Sequence, residues 1–174
     1  MANYIYIATT IDGFIADKDG GLAWLVEIPN PDNIDYGFAD FMKKIDAVIM
    51  GRKTFEKVLS FDKWPYSKKV FVLSNTLKEI PENLSGKVEL ISGELKQIIT
   101  NLKKKGLNNL YIDGGKTIQS FLKQDLIDEM IITRVPILLG DGIPLFAYLD
   151  RPIKFQEMET EVFNNFLVKT CYRK

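Results

Sequence analysis

The sequence contains no histidine, which removes Ser-His-Asp and Cys-His catalysis and the histidine-ligated metal sites. It has one cysteine, Cys171, so no internal disulfide can form, and a reducing cytoplasm is the simplest compartment. Cys171 lies in an alternating, strand-like stretch, where packing is the expected role rather than nucleophilic chemistry. No segment approaches the roughly 20 apolar residues that span a bilayer. Met1 to Tyr6 lacks both the basic start and the long apolar run of a secretory signal. Net charge is missing too: 23 Lys and Arg balance 23 Asp and Glu, so nothing draws the chain generally to nucleic acid or anionic membrane. Neither Gly-x-Gly-x-x-Gly after the first strand nor Gly-x-x-x-x-Gly-Lys-[Ser/Thr] is present, which excludes the usual Rossmann fingerprint and the P-loop. Acid–base work must fall to a carboxylate, a lysine, a tyrosine or a bound cofactor. No metal is implied.

What remains is an ordinary globular composition, 46% apolar and 26% charged over 174 residues, enough for one domain with a real core. Short apolar runs alternate with helix-period stretches, the mark of an α/β sheet with crossover helices. The runs are Tyr4–Ala8, Ala47–Met50, Val70–Leu73, Val88–Ile91, Leu110–Ile112 and Met130–Val135, and their content suits strands buried on both faces. Phe38, Phe41, Met42 and Ile45 mark one helix; Leu95, Ile98, Ile99 and Leu102, after a Ser92 cap, mark a second. Ile118, Phe121 and Leu122 mark a third, and a shorter helix starts just after Gly51. Val162-Phe163 and Phe166–Tyr172 alternate around Asn164-Asn165, predicting an antiparallel C-terminal hairpin with a tight turn. No repeat or linker divides residues 1–174, so one domain is expected. The stretch from Asp17 to Asn33 is long, loop-rich and carries Trp24; such loops are often functional.

Two strand-to-helix junctions carry the chemistry. Ala47–Met50 runs into Gly51-Arg52-Lys53-Thr54-Phe55. The free amides of a helix's first turn and the helix dipole favour a phosphate there, with Arg52 and Lys53 adding charge and Thr54 a hydrogen bond. A plain glycine turn with two solvated cations explains the same residues. Leu110-Tyr111-Ile112-Asp113 runs into Gly114-Gly115-Lys116-Thr117, where paired glycines permit close approach to an anion, or equally close packing of helix on strand. Two such cradles in one sheet suggest a pyrophosphate between them, hence a dinucleotide. A third strand ends in Leu73-Ser74-Asn75-Thr76. No carboxylate stands there for a ribose, and hydroxyl and amide groups near Arg52 suit a 2′-phosphate, which favours NADPH over NADH; a plain polar turn explains the same residues.

In this order the three pieces resemble the dihydrofolate-reductase superfamily, as do Ala8-Thr9-Thr10-Ile11-Asp12-Gly13-Phe14-Ile15-Ala16 and the loop tryptophan Trp24. The similarity covers nearly the whole chain. Within that superfamily Asp12–Ala16, Leu126–Glu129 and Pro136–Phe146 look closest to the reductase (C-terminal) domain of bacterial bifunctional riboflavin-biosynthesis deaminase-reductases and their stand-alone relatives. The resemblance implies a three-layer α/β/α fold, with a mainly parallel central sheet and the antiparallel C-terminal hairpin. It implies NADPH across the strand ends: Ala8 and Ile15 near the nicotinamide, Gly51 to Thr54 and Gly114 to Thr117 at the phosphates, Ser74 and Asn75 toward the adenosine, and Leu73 and Ile112 as further cofactor-binding residues. It also implies hydride transfer to a pyrimidine-type substrate such as 5-amino-6-(5-phosphoribosylamino)uracil, with dihydrofolate or another pterin as the alternative. Folate enzymes fork an arginine around the substrate's carboxylate; Lys68-Lys69 stands here instead and lacks that planar fork.

Asp35 and Trp24 are the candidate substrate-side residues. Spaced three and seven residues before Phe38 and Met42, Asp35 would share their helix face, and an apolar pocket would raise its pKa toward proton-donor use. Equally, it is an acid at a helix start, with Asp32 or Asn33 the cap. Trp24 is either a substrate wall or a loop anchor. A small molecule is the expected partner, with a homodimer suggested by the apolar Pro136–Phe146 segment. A reading of another class is a non-catalytic NADPH-binding module, which would use the same cradles.

Overall fold

The computed structural model describes residues 2–164 and 166–174. In chain order the strands are β1 (Ala2–Thr10), β2 (Phe14–Ala16), β3 (Ala47–Gly51), β4 (Lys69–Leu73), β5 (Val88–Ile91), β6 (Asn109–Asp113), β7 (Glu129–Val135), β8 (Ile143–Pro144), β9 (Gln156–Phe163) and β10 (Leu167–Arg173). The helices are α1 (Ala23–Val26), α2 (Phe38–Lys44), α3 (Arg52–Leu59), α4 (Leu95–Lys104) and α5 (Gly115–Lys123). Eight strands form one sheet in the order β5-β4-β3-β6-β1-β7-β10-β9. The first six run parallel, and β10 and β9 close the far side antiparallel. Each expected apolar run is a strand, and each expected helix is present.

Strand period sorts the core onto two faces. Ala47 and Ile49 of β3, with Leu110 and Ile112 of β6, pack against Leu95, Ile98, Ile118 and Phe121 of α4 and α5. Their neighbours Val48, Met50 and Tyr111 pack against Phe41 and Met42 of α2 and Phe55 of α3. Both faces of the central strands are therefore covered, as parallel strands joined by crossover helices require. Each large side chain so buried contributes roughly 1.5–3 kcal/mol.

Four local expectations are corrected. Ser92 does not cap α4: Gly93, at φ +116, turns the chain, and Glu94 is the residue before the helix, with no side-chain cap bond. Neither Asp32 nor Asn33 caps α2, which starts only at Phe38 after Gly37. Asp35 therefore lies outside the helix, exposed, and not on the Phe38–Met42 face. The hairpin's first strand begins at Gln156, well before Val162. Its charged, exposed residues are those of an outer edge strand, and they hid it from hydropathy. The hairpin pairs from Phe163↔Leu167; Asn164 is left-handed at φ 51, and Asn165 of the expected turn lies outside the described residues.

A separate ribbon pairs β2 with β8. The Asp12 carboxylate holds it in place, accepting from Thr10 Oγ1 at 2.5 Å and from the Gly140 amide at 2.8 Å. These bonds, the Thr10 hydroxyl first, keep Asp12 below the usual carboxylate range. Pro136–Phe146 is thereby divided: Leu145 is fully buried, while Leu138 and Phe146 are exposed. Cys171 sits in β10, its thiol pushed up chiefly by burial. Among the described residues no helix is long and apolar enough to cross a membrane.

Candidate functional site

The sheet opens beside its own centre. β1 pairs with β6 only from Ala2↔Asn109 to Tyr4↔Tyr111, whereas it pairs with β7 from Tyr4 all the way to Thr10↔Val135. Beyond Tyr4 the carboxyl ends of β1 and β6 are no longer joined. The chain also reverses its direction of travel across the sheet here, since β3 lies on one side of β1 and β7 on the other. Open α/β sheets bind ligands at this kind of switch point.

Two helices begin at the next strand ends. Gly51 ends β3 and Asp113 ends β6, which are direct neighbours. The junctions interlock crosswise: a Cβ on Gly51 would stand 2.8 Å from Thr117 Oγ1, and one on Gly114 would collide with Thr54 Oγ1. Gly114 also needs its φ of +88, which side-chain-bearing residues rarely adopt. Here, then, the glycines serve close packing of one junction on the other. Among the described residues no side chain caps α3 or α5, so the first-turn amides of both helices carry no side-chain cap bond at these neighbouring strand ends. The Gly114 amide is an exception, already given to Asp113 Oδ1 at 2.8 Å. Lys53 and Lys116 stand exposed at the mouth, and Thr117 is buried.

The third element adjoins the first. Arg52 Nη1 donates to Thr76 Oγ1 at 3.2 Å, and Ser74 Oγ accepts the Leu77 amide at 2.9 Å. Leu73 and Ser74 are half-buried there and Asn75 exposed. Arg52 thus bridges the first cradle to the Ser74–Thr76 turn, two places separated by 24 residues in sequence. Ile112 is fully buried beneath the junction. Ile15 lies against Gly115, its Cδ1 2.8 Å from where a Cβ would be.

On the α2 face, toward the ends of β1 and β7, lies a cavity of about 340 Å³ lined by Tyr6, Ala8, Leu25, Val26, Ile28, Asn30, Asp35, Tyr36, Thr133, Val135 and Leu167. Ala8 belongs to its floor. Trp24 is buried, 7% exposed, against Val135 and Leu167, and the α1 neighbourhood meets the cavity through Leu25, Val26 and Ile28. The expected rise in the pKa of Asp35 is reversed. Ala39 and Gly37 donate their amides to it at 2.8 and 2.9 Å, and these bonds hold the carboxyl below its ordinary value. It is an ionised acceptor at neutral pH, since hydrogen bonds to the charged form outweigh what little desolvation an exposed group suffers.

Three residues escaped sequence reading. Tyr36 has φ 55, a strained conformation for a bulky side chain; its carbonyl accepts from Tyr6 OH at 2.8 Å and Lys169 Nζ at 3.1 Å, and its own buried hydroxyl meets no partner among the described residues. Lys169, from β10, also pairs with Glu161 and lies 4.8 Å from the Phe163 ring centroid. Burial, with Asp35 and Glu161 adding, pushes the Tyr6 phenol up to about 12. The third is Asp113, which takes the Tyr66 hydroxyl at 2.7 Å; burial pushes its carboxyl up despite that bond. Asp113 was the one carboxylate closing a glycine-junction strand, a signal available in the sequence; the cross-chain reach of Lys169 left none. A second cavity, about 210 Å³, lies at the opposite end of α5 near Asp125 and Arg151, where Asp125 is already tied to Lys174 and Arg151.

An open parallel sheet with crossing glycine junctions and an antiparallel terminal hairpin defines a dihydrofolate-reductase-like domain. The same fold is seen in dihydrofolate reductase from Enterococcus faecalis complexed with NADP(H), with a TM-score of 0.69 at 17% identity, covering 99% of this chain and 95% of that one. The sequence profile of the RibD C-terminal domain matches residues 4–169, and the chain belongs to that family. A crystal structure from Shewanella sp. PV-4, of a protein provisionally named for riboflavin biosynthesis, is 55% identical with a TM-score of 0.96, covering 99% of this chain and 98% of that one. YwjB of Bacillus subtilis (strain 168), itself uncharacterized, is 37% identical over 91% of this chain and 90% of its own length.

Proposed function

We propose that the protein is an NADPH-dependent reductase that transfers hydride to a pyrimidine-type substrate, at the sugar carbon of a ribosylamino-pyrimidine, a reaction of the kind used in riboflavin biosynthesis, in a reducing compartment such as the cytoplasm. The observation that carries this is the pair of uncapped helix starts, α3 and α5, interlocked at neighbouring strand ends beside an apolar cavity. The residues fit the cofactor's chemistry: amides and cations for its phosphates, and Arg52 beside a hydroxyl-bearing turn for a 2′-phosphate.

Gly51, Arg52, Lys53 and Thr54, with Gly115, Lys116 and Thr117, would hold the phosphates; Ser74 and Asn75 would lie toward the adenosine, and Ala8 and Ile15 toward the nicotinamide. When bound, NADPH supplies a hydride. The chain's own part is to orient the ring and exclude water, which is where most of the rate enhancement of such a transfer arises. Apolar Leu25, Ile28 and Val135 exclude water from the cavity. Trp24 acts from beneath by fixing α1. Asp35, ionised and held by two amides, accepts ring N–H groups and holds no proton of its own at neutral pH.

Fluorescence titration with NADPH, with NADH as control, tests the cofactor half; oxidation on adding 5-amino-6-(5-phosphoribosylamino)uracil, its dephosphorylated form or dihydrofolate tests the reaction. Tight NADPH binding with turnover supports the reading. Binding with no turnover of any of the three indicates a non-catalytic NADPH module, and no nucleotide binding overturns the reading altogether.

A further inference from the structure

The cavity carries a charge pattern that bears on the substrate, and the inference from it rests on the reductase reading above. Among the described residues that line it, Asp35 is the one with a charged side chain. The remaining polar side chains are uncharged: Tyr6, whose hydroxyl is donated to the Tyr36 carbonyl, with Tyr36, Asn30 and Thr133. The Asn30 amide is spent in both directions on the Ile34 backbone, at 2.8 and 3.0 Å, and Thr133 is buried in β7. The cation that approaches this wall, Lys169, is engaged by Glu161, by the Tyr36 carbonyl and by the Phe163 ring. The exposed cations Arg52, Lys53 and Lys116 stand at the two helix starts, where the cofactor's phosphates need them.

We propose that the cavity takes an uncharged nitrogen heterocycle that bears no phosphate, so that the substrate is the dephosphorylated counterpart of the phosphoribosylamino-pyrimidine. A phosphate dianion would face a carboxylate instead of the arginine or lysine fork that phosphate recognition uses. The way out of the cavity is no better suited to it. Val26, 80% exposed, forms an apolar lip with Leu25 and Ile28, so an arm leaving the ring passes over hydrocarbon. Conversely, an ionised acceptor at the wall of an apolar cavity matches the N–H edge of a neutral ring, and apolar walls match its faces.

The test uses two compounds differing only by the phosphate: 5-amino-6-ribosylaminouracil and its 5′-phosphate. Calorimetric Kd values for each are measured on the full chain, alone and saturated with NADP+, alongside kcat/KM with NADPH. The expected result is a preference for the dephosphorylated compound by at least about tenfold in both Kd and kcat/KM. Asp35→Asn narrows that ratio, because it removes the repulsion. Val26→Arg, on an exposed side chain that the fold does not need, moves the ratio toward the phosphorylated compound. A wild-type chain that binds the phosphate equally or better, or that binds neither compound in either state, overturns the proposal. Failure of the reductase reading is distinguishable: it appears in the nucleotide titration alone, while the ring Kd values measured without nucleotide still report the preference.

Discussion

Gly51–Thr54 and Gly114–Thr117 are each an unbroken run of residues at a strand end, whereas the cavity wall draws Tyr6, Asp35, Thr133 and Leu167 from separate parts of the chain. The first region is rigid for local reasons. Strand, glycine and helix follow one another, and each junction fits the other because a Cβ on Gly51 or Gly114 would press into the opposite threonine. The second is held from a distance, by a lysine on the C-terminal hairpin bonded to the carbonyl of a left-handed tyrosine 133 positions earlier. The difference teaches that a strand-end glycine junction can be written as a motif, while a cavity wall is a property of the assembled sheet. Damage to the first region should therefore appear in nucleotide binding and stability, and damage to the second in substrate binding.

The largest effect is expected from Gly114→Ala, which combines an unfavourable φ with a collision at Thr54 Oγ1; stability should fall by about 3 kcal/mol in urea unfolding. Adding Thr54→Ala should restore part of it, removing the collision but not the strained backbone. Full recovery would mean that the backbone carries no strain.

Next comes Lys169→Met, which removes a charged donor from the Tyr36 carbonyl and should cost about 1.5 kcal/mol. The KM for the ring should rise while the Kd for NADPH stays put, and Lys169→Arg should recover part of the loss. A change in NADPH affinity instead would break the separation between the two regions.

Arg52→Ala should weaken NADPH binding by about tenfold and leave NADH unaffected, as fluorescence titration would read. Equal loss for both nucleotides would place Arg52 at the pyrophosphate rather than the 2′-phosphate.

The smallest effect concerns Asp35. Its folded pKa lies below the unfolded value, so its contribution to stability is present above that unfolded value and is lost as the pH falls through the folded pKa. Asp35→Asn should therefore lower stability slightly at pH 7 and flatten the acid limb of the unfolding curve below about pH 4. An unchanged acid limb would show that the Ala39 and Gly37 amides do not act on it in solution.

The six apolar runs and the helical spacings of α2, α4 and α5 were legible because each reflects a repeating local pattern against a buried surface. The two glycine junctions were legible for the same reason, though their glycines turned out to serve contact with Thr54 and Thr117. Of the two readings of Asp35, the structure matches the acid at a helix start, held by the Gly37 and Ala39 amides, and not the proton donor with a raised pKa. Spacing to Phe38 and Met42 said helix, yet the left-handed Tyr36 and Gly37 delay the helix by three residues and turn the carboxylate onto backbone amides. Likewise β9 was read short, since its outer residues are charged and carry no hydrophobic period.

By itself the sequence determined the order of strands and helices, the alternation that splits the core between two faces, and the placing of glycines and cations where helices start. These are consequences of residues within a few positions of one another, whose periodicity and backbone freedom act locally. Tertiary structure alone decided that β1 and β6 part beyond Tyr4, that Lys169 clamps Tyr36, and that Asp35 is the one charge facing the cavity among the described residues. Each of these depends on which strands become neighbours, and on desolvation and hydrogen bonds between groups more than a hundred residues apart, which no local pattern encodes.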